Sequence, residues 1–114
     1  MNVTIWHNPR CSKSRETLAL IEAQGIEPMV RLYLKDVPGV GEIAAAVDRL
    51  EIAAIELVRR NEKSFAAAGI DDQSPERIVL GAMAADPKLI ERPIVFANGK
   101  AAIGRPPEAV LDIL

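Results

Sequence analysis

The order of secondary-structure signals along the chain is the feature that most restricts its fold. Residues 3–6 are β-branched and aromatic, which predicts a strand. Residues 12–24 are good helix formers and end before Gly25, a residue suited to the C-terminal end of a helix. Residues 29–34 alternate as a second strand does. The chain therefore begins with a β-α-β pattern.

The end of the chain predicts a hairpin followed by a helix. Residues 93–97 have the composition of a buried strand, and Asn98-Gly99 is a strong signal for a two-residue hairpin turn. Residues 100–103 should therefore return antiparallel to the preceding strand. Residues 106–114 predict a short closing helix.

The middle of the chain is predicted to be helical. Residues 40–50 carry one apolar stripe and residues 53–59 predict a shorter helix. Ser74 is expected to cap a third helix that Pro75 begins and that ends before Pro87. Together with the two ends, this order predicts an α/β fold with a small mixed sheet of four strands and a helical insertion between strands 2 and 3. All 114 residues are expected to form one domain.

Charge and composition exclude several classes of protein. The chain has 14 lysines and arginines against 16 aspartates and glutamates, a net charge of -2, which disfavours a general nucleic-acid binder. It has no apolar run of the ~20 residues that cross a membrane, and no signal-peptide pattern at its start. A single cysteine excludes an intramolecular disulfide, and one cysteine with one histidine disfavours a metal site. These features predict a cytoplasmic protein that binds neither nucleic acid nor membrane.

The single cysteine, Cys11, is the candidate nucleophile. It lies between the first predicted strand and helix, where unpaired backbone N–H groups and the helix dipole favour an anion. Arg15 follows one turn later on the same helix face, and Arg10 and Lys13 add positive charge nearby. His7 precedes Cys11 by four residues and is as compatible with a structural role as with stabilising the thiolate by charge or by a hydrogen bond. These surroundings lower the pKa of a thiol below its usual value of about 8.5.

The candidate nucleophile has no second cysteine to resolve a disulfide. Ser14 occupies the position at which a dithiol motif carries its second cysteine. A redox cycle on Cys11 would therefore need an outside thiol, such as glutathione or a thiol protein, to complete it.

Three arginine positions are candidates for binding an oxyanion. Arg59 ends a predicted helix, although its neighbour Arg60 fits the same position on sequence alone. Arg92 and Arg105 each precede a proline at a loop junction beside a short strand. A planar guanidinium at such a junction suits a tetrahedral oxyanion, because it donates two parallel hydrogen bonds.

The combination of these motifs resembles a known family. The pattern His7-x3-Cys11-x3-Arg15 and three arginine motifs, at residues 57–61, 89–95 and 103–108, resemble the glutaredoxin-coupled, ArsC-like arsenate reductases, in their short chromosomal branch. The resemblance follows the chain in order over almost its whole length. It implies a thioredoxin-like fold, in which the Arg92-Pro93 bond is expected to be cis and opposite the cysteine.

The resemblance also implies roles for these residues. Cys11 would attack arsenate, with His7 and Arg15 supporting its thiolate. The oxyanion would be held by Arg59, Arg92 and Arg105. Glutathione would act as co-substrate and glutaredoxin as the final reductant, with no bound cofactor, and the product would be arsenite, as in arsenic resistance.

Two other functions remain open at this stage. One is a glutathione-dependent protein thiol reductase on the same fold. The other is a regulator resembling the Spx proteins, which bind RNA polymerase. Those regulators commonly carry a Cys-x-x-Cys switch, which Ser14 removes here.

Overall fold

The computed structural model, which describes residues 2–114, contains one mixed sheet of four strands. The strands are β1 (Val3–Trp6), β2 (Met29–Arg31), β3 (Ile94–Ala97) and β4 (Lys100–Ile103). Their order across the sheet is β2-β1-β3-β4, with β1 and β2 parallel and the other two pairs antiparallel. The predicted α/β fold with a small mixed sheet is confirmed.

Helix α1 (Ser12–Ala23) connects the two parallel strands and covers the core of the sheet. It ends before Gly25, whose φ of +78° is a left-handed conformation that glycine adopts at little cost. The 3₁₀ segment Pro107–Ile113 packs beside α1. The buried core between these elements and the sheet consists of Val3, Ile5, Ile21, Val95, Ala97 and Val110.

The contacts of the described residues form two compact units. The first unit contains the residues up to Asp36 together with Arg92–Leu114, and thus the whole sheet. The second unit is Val37–Glu91, which is the predicted helical insertion between strands 2 and 3. That all 114 residues act as one domain stays a prediction. No helix among residues 2–114 has the length and apolar character needed to span a bilayer.

Strand β2 is shorter than the alternation of residues 29–34 predicts. It ends at Arg31 because the Leu32 carbonyl accepts hydrogen bonds from the backbone N–H groups of Lys35 (2.9 Å) and Asp36 (2.8 Å), which turns the chain. Tyr33 is buried by this turn, whereas Met29 stays 72% exposed at the edge of the sheet.

The closing hairpin agrees with its sequence signal. Asn98 and Gly99 both have positive φ (55° and 75°), as the two central residues of a type I′ turn require. The Arg92-Pro93 peptide bond is cis, as expected. The Arg105-Pro106 bond is also cis, which the sequence did not indicate.

The second unit contains helices α2 (Val40–Leu50), α3 (Ser64–Ala68) and α4 (Glu76–Ala85), and the 3₁₀ segments Ala54–Leu57 and Pro87–Leu89. Helix α3 was not predicted.

Two predictions for this unit were wrong in detail. The helix predicted at residues 53–59 is only a 3₁₀ turn, because Val58 is extended and forms a bridge with Ile90. Helix α4 begins at Glu76 with Pro75 as its N-cap residue. Ser74 does not cap it, since its Oγ accepts a hydrogen bond from the backbone N–H of Asp71 (2.9 Å).

Candidate active site

Cys11 occupies the N-cap position of helix α1. Its backbone is extended (φ −93°, ψ 124°), while its carbonyl already accepts the first helical hydrogen bond, from Arg15 N (3.0 Å). Its own N–H donates to the carbonyl of Asn8 (3.0 Å), which closes a tight loop at the end of β1. This placement directs the helix N-terminus at the thiol, as the strand–helix junction predicted.

The environment of Cys11 favours the thiolate on balance. Burial, which leaves 9% of the residue exposed, raises the pKa of the thiol. The backbone N–H groups of Ser14 and Lys13 and the charges of Arg92 and Arg105 act in the opposite direction and outweigh it, so the pKa lies below its ordinary value. The cationic contribution therefore comes from arginines that are more than 80 residues away in the chain.

Arg105 makes the most direct contact with the nucleophile. Its Nη2 lies 3.5 Å from Cys11 Sγ, and its Nε donates a hydrogen bond to the carbonyl of Arg92 (2.8 Å). The guanidinium thus connects the thiol to the chain segment that contains the cis bond before Pro93. The structure brings Arg92 and Arg105 together beside Cys11, within the first unit.

His7 lies behind the nucleophile and is bound to Ser14. Its Nδ1 is hydrogen-bonded to Ser14 Oγ at 2.7 Å, and the same Oγ accepts a hydrogen bond from the backbone N–H of Asn8 (3.0 Å). Burial, and then the charge of Arg15, hold the pKa of His7 below 6.5. The imidazole is therefore mainly neutral at pH 7 and contributes a hydrogen bond to Ser14 rather than a positive charge.

Arg15 is hydrogen-bonded to the loop that precedes helix α1. Its side chain is exposed and Nη1 donates to the carbonyl of Pro9 (2.8 Å). Lys13, the other cation near the cysteine in sequence, pairs with Glu16 at 3.5 Å. Direct support of the thiolate by Arg15 stays a prediction.

Arg59 lies in the second unit and is enclosed by carboxylates. Its Nη1 is 3.2 Å from Glu62 Oε2 and its Nε is 3.8 Å from Glu91 Oε1. The backbone holds the same corner, because Arg59 N donates to the Leu89 carbonyl (2.8 Å) and Glu91 N donates to the Leu57 carbonyl (2.8 Å). The role of Arg59 in binding an oxyanion stays a prediction.

Arg60, which the sequence alone did not distinguish from Arg59 as the candidate oxyanion ligand, lies in a different environment. It is paired with Asp72 and lies over the ring of Phe65, 6.0 Å from its centroid. Its side chain is 49% exposed, whereas that of Arg59 is 20% exposed. Arg60 is therefore an arginine of the second unit's surface.

The structural role of Ser14 was not predicted from the sequence, where it is only the position of an absent second cysteine. In the structure its side chain is fully buried and connects His7 to the loop before Cys11. The signal available was spacing, since Ser14 follows Cys11 by three residues at the start of a helix. Among residues 2–114, no group of three or more histidine, cysteine, aspartate and glutamate side chains is arranged to hold a metal ion.

Comparisons with known proteins agree with this geometry. The model of the ArsC family matches residues 6–113. The chain is 43% identical to the arsenate reductase of Haemophilus influenzae, with 100% of both chains covered. The chain belongs to the ArsC family. The resemblance to the ArsC family drawn from its motifs is thereby confirmed, while coupling to glutaredoxin stays a prediction.

Other relatives of this ArsC-family chain extend the same picture. It is 50% identical to the uncharacterized protein YfgD of Escherichia coli K12, over 98% of this chain and 96% of that one. The solved structure of an arsenate reductase from Vibrio cholerae superimposes with a TM-score of 0.97 at 48% identity, over 100% of this chain and 98% of that one. The thioredoxin-like ArsC fold implied by the resemblance is confirmed.

Proposed function

We propose that this ArsC-family chain reduces arsenate to arsenite, with Cys11 as nucleophile and with glutathione and glutaredoxin as the thiol donors. One observation carries the proposal: a buried thiol at a helix N-terminus has an arginine nitrogen 3.5 Å from its sulfur and a lowered pKa. Relatives named arsenate reductase, matched over their full length, support the choice of arsenate as substrate.

The first step is nucleophilic attack. The Cys11 thiolate forms a sulfur–arsenic bond, and one arsenic–oxygen bond breaks, with the oxygen leaving as water after it gains protons. Arg92 and Arg105, beside the sulfur, neutralise the charge of the arsenate oxygens. Arg59 is proposed to complete this set of oxyanion donors.

The electrons come from outside the chain. Arsenic(V) needs two electrons to become arsenic(III), and Cys11 is the only cysteine of the chain. Two thiols, one from glutathione and one from glutaredoxin, supply them by forming one disulfide. Water then breaks the sulfur–arsenic bond, its oxygen going to arsenic and a proton to the sulfur, so that arsenite leaves and Cys11 is returned as a thiol. This cycle requires a reducing compartment rich in glutathione, for which we propose the cytoplasm.

An omission assay tests the function. NADPH consumption coupled through glutathione reductase should require the chain, arsenate, glutathione and glutaredoxin, and should stop when any one is left out. Oxidation of NADPH that needs the chain and a glutathionylated protein, with arsenate and glutaredoxin both left out, would instead favour the protein thiol reductase. Failure of arsenate to be consumed under complete conditions would reject the proposal.

A second measurement addresses the thiol itself, without arsenate. The rate of alkylation by iodoacetamide follows the thiolate, and Cys11 is the only thiol to react. Its midpoint in a pH titration should lie below the value of an ordinary cysteine thiol measured in parallel, since the pKa of Cys11 is lowered. A midpoint at or above that value would contradict the nucleophile as described.

A further inference from the structure

Gly104 is the one glycine among residues 2–114 at which a side chain has no room. A Cβ built there would lie 2.8 Å from Pro93 Cγ and 3.0 Å from Thr17 Cγ2, and closer still to Thr17 Oγ1. The six other glycines have no atom within 4 Å of such a Cβ. Because the φ of Gly104 is not positive, space rather than backbone conformation requires glycine here.

The neighbours of Gly104 cannot easily yield. Thr17 is fully buried, and its Oγ1 is held by the hydrogen bond that it donates to the Lys13 carbonyl (2.7 Å). Pro93 is a buried ring with no flexible end to move aside. Gly104 therefore lets helix α1, through Thr17, and the segment of Pro93 approach each other at one point.

The close approach at Gly104 also determines the position of Arg105, the arginine that contacts Cys11. Gly104 N donates to the Pro93 carbonyl (2.9 Å), and the next residue, Arg105, turns back so that its N–H reaches the Ile103 carbonyl (2.9 Å). From this turn, the Arg105 side chain reaches both the Arg92 carbonyl and Cys11 Sγ. A shift of Gly104 would move the base of the Arg105 side chain away from the cysteine on α1.

We propose that Gly104 is a positioning residue, whose missing side chain lets the Ile103–Arg105 turn dock against Thr17 and Pro93 and thereby sets the contact between Arg105 and Cys11 Sγ. It acts on the chemistry only through Arg105. Its catalytic consequence rests on the proposed function, but its effect on the thiol does not.

The test is Gly104→Ala, with iodoacetamide alkylation of Cys11 followed against pH. The midpoint should rise, and alkylation at pH 7 should slow by up to about tenfold, the lower end of what one charge-assisted hydrogen bond contributes. Gly81→Ala is the matched control, because Gly81 lies in helix α4 with no atom within 4 Å of an added Cβ. It should leave the midpoint unchanged.

Two further variants separate positioning from general damage to the fold. In an Arg105→Met background, Gly104→Ala should cause no further rise of the midpoint, because the contact it disturbs is already gone. Thr17→Ala removes the Oγ1 and Cγ2 atoms with which the new Cβ would clash. In a Thr17→Ala background, Gly104→Ala should therefore raise the midpoint less than it does in the wild-type background. If Gly104→Ala does not fold, this relieved double variant is measured in its place and should lie between Thr17→Ala and Arg105→Met.

Two results would overturn the proposal. One is an unchanged midpoint in a Gly104→Ala protein whose circular dichroism shows it folded. The other is a rise of equal size with and without Arg105. Since alkylation needs no arsenate, a chain that fails the arsenate assay but shows these shifts would reject the proposed function and leave the role of Gly104 standing.

Discussion

Two arginines, one in each compact unit, show how the same side chain is used differently. Arg105 in the first unit faces a backbone carbonyl and the Cys11 sulfur. Arg59 in the second unit faces two carboxylates, those of Glu62 and Glu91. Arg105 thus acts on the Cys11 thiol and lowers its pKa, whereas Arg59 is paired with two carboxylates of its own unit.

This difference teaches that the partner of a guanidinium decides what its charge can do. An arginine beside a thiol lowers the pKa of that thiol, because it stabilises the anion. The positive charge of an arginine between two carboxylates is more than offset by them, while the two ion pairs restrict the orientation of its fork. On this comparison, Arg105 lowers the pKa of Cys11, whereas the binding of an oxyanion by Arg105 and by Arg59 stays a prediction.

The largest effect is expected from Cys11→Ser, which removes the group that Arg105 faces. A serine hydroxyl is almost entirely un-ionised at neutral pH, so the attack on arsenate should fall to the background rate in the NADPH-coupled assay. Circular dichroism and thermal unfolding should match wild type, because the change is nearly isosteric. Residual turnover in the variant would show that the nucleophile lies elsewhere.

The next largest effect separates the two arginines directly. Arg105→Met and Arg59→Met should each reduce kcat/KM for arsenate by about ten- to a hundredfold, the cost of one charge-assisted contact. Only Arg105→Met should also raise the alkylation midpoint of Cys11, since Arg92 and Arg105 are the charges that lower the pKa of this thiol. An equal rise of the alkylation midpoint in Arg59→Met would show that both arginines act on the thiol.

Lysine at position 105 sharpens the same comparison. Arg105→Lys keeps the positive charge but loses the planar fork that reaches the Arg92 carbonyl and Cys11 Sγ together. It should recover part of the lowered alkylation midpoint and less of the arsenate turnover. Full recovery of both would show that charge alone matters at this position.

What the sequence could predict depended on local patterns. The β-α-β start, the Asn98-Gly99 turn and the place of Cys11 before a helix follow from neighbouring residues, and each agrees with the structure. The early end of β2 does not follow from alternation, since it depends on hydrogen bonds to the Leu32 carbonyl. Helix α3 has only five residues, too few for a periodic pattern to appear.

The missed parts of the candidate site are contacts between segments distant in sequence. The need for glycine at position 104 arises only when Thr17 and Pro93 are beside it. The different surroundings of Arg59 and Arg60, two adjacent residues, depend on Glu91 and Asp72, from other segments of the second unit. No spacing rule contains this information, because it arises from tertiary packing.

A smaller effect, on stability, is expected from Ser14→Ala in the first unit. The change removes the acceptor of Asn8 N–H and the partner of the buried His7 Nδ1. Leaving such groups unsatisfied costs about 1–3 kcal/mol in the free energy of unfolding. Urea unfolding should show this loss, whereas Ser12→Ala, exposed on the same helix, should stay within ~0.5 kcal/mol of wild type. Equal stabilities of the two variants would argue against the His7–Ser14 bond.

The smallest effect is expected from Arg60→Ala in the second unit. Its ion pair with Asp72 is solvent-exposed, with the two side chains 49% and 65% exposed, and such pairs contribute about 0.2–1 kcal/mol. Its place over the Phe65 ring adds about 0.5–1 kcal/mol at most at an exposed site. The free energy of unfolding should therefore fall by no more than the sum of these contributions, while kcat/KM for arsenate and the alkylation midpoint of Cys11 should stay at wild-type values.

Because Arg60 is adjacent to Arg59 in the chain, this variant is the matched control for Arg59→Met. A loss of arsenate turnover in Arg60→Ala as large as in Arg59→Met would mean that the different surroundings of the two neighbours do not distinguish their contributions to arsenate reduction.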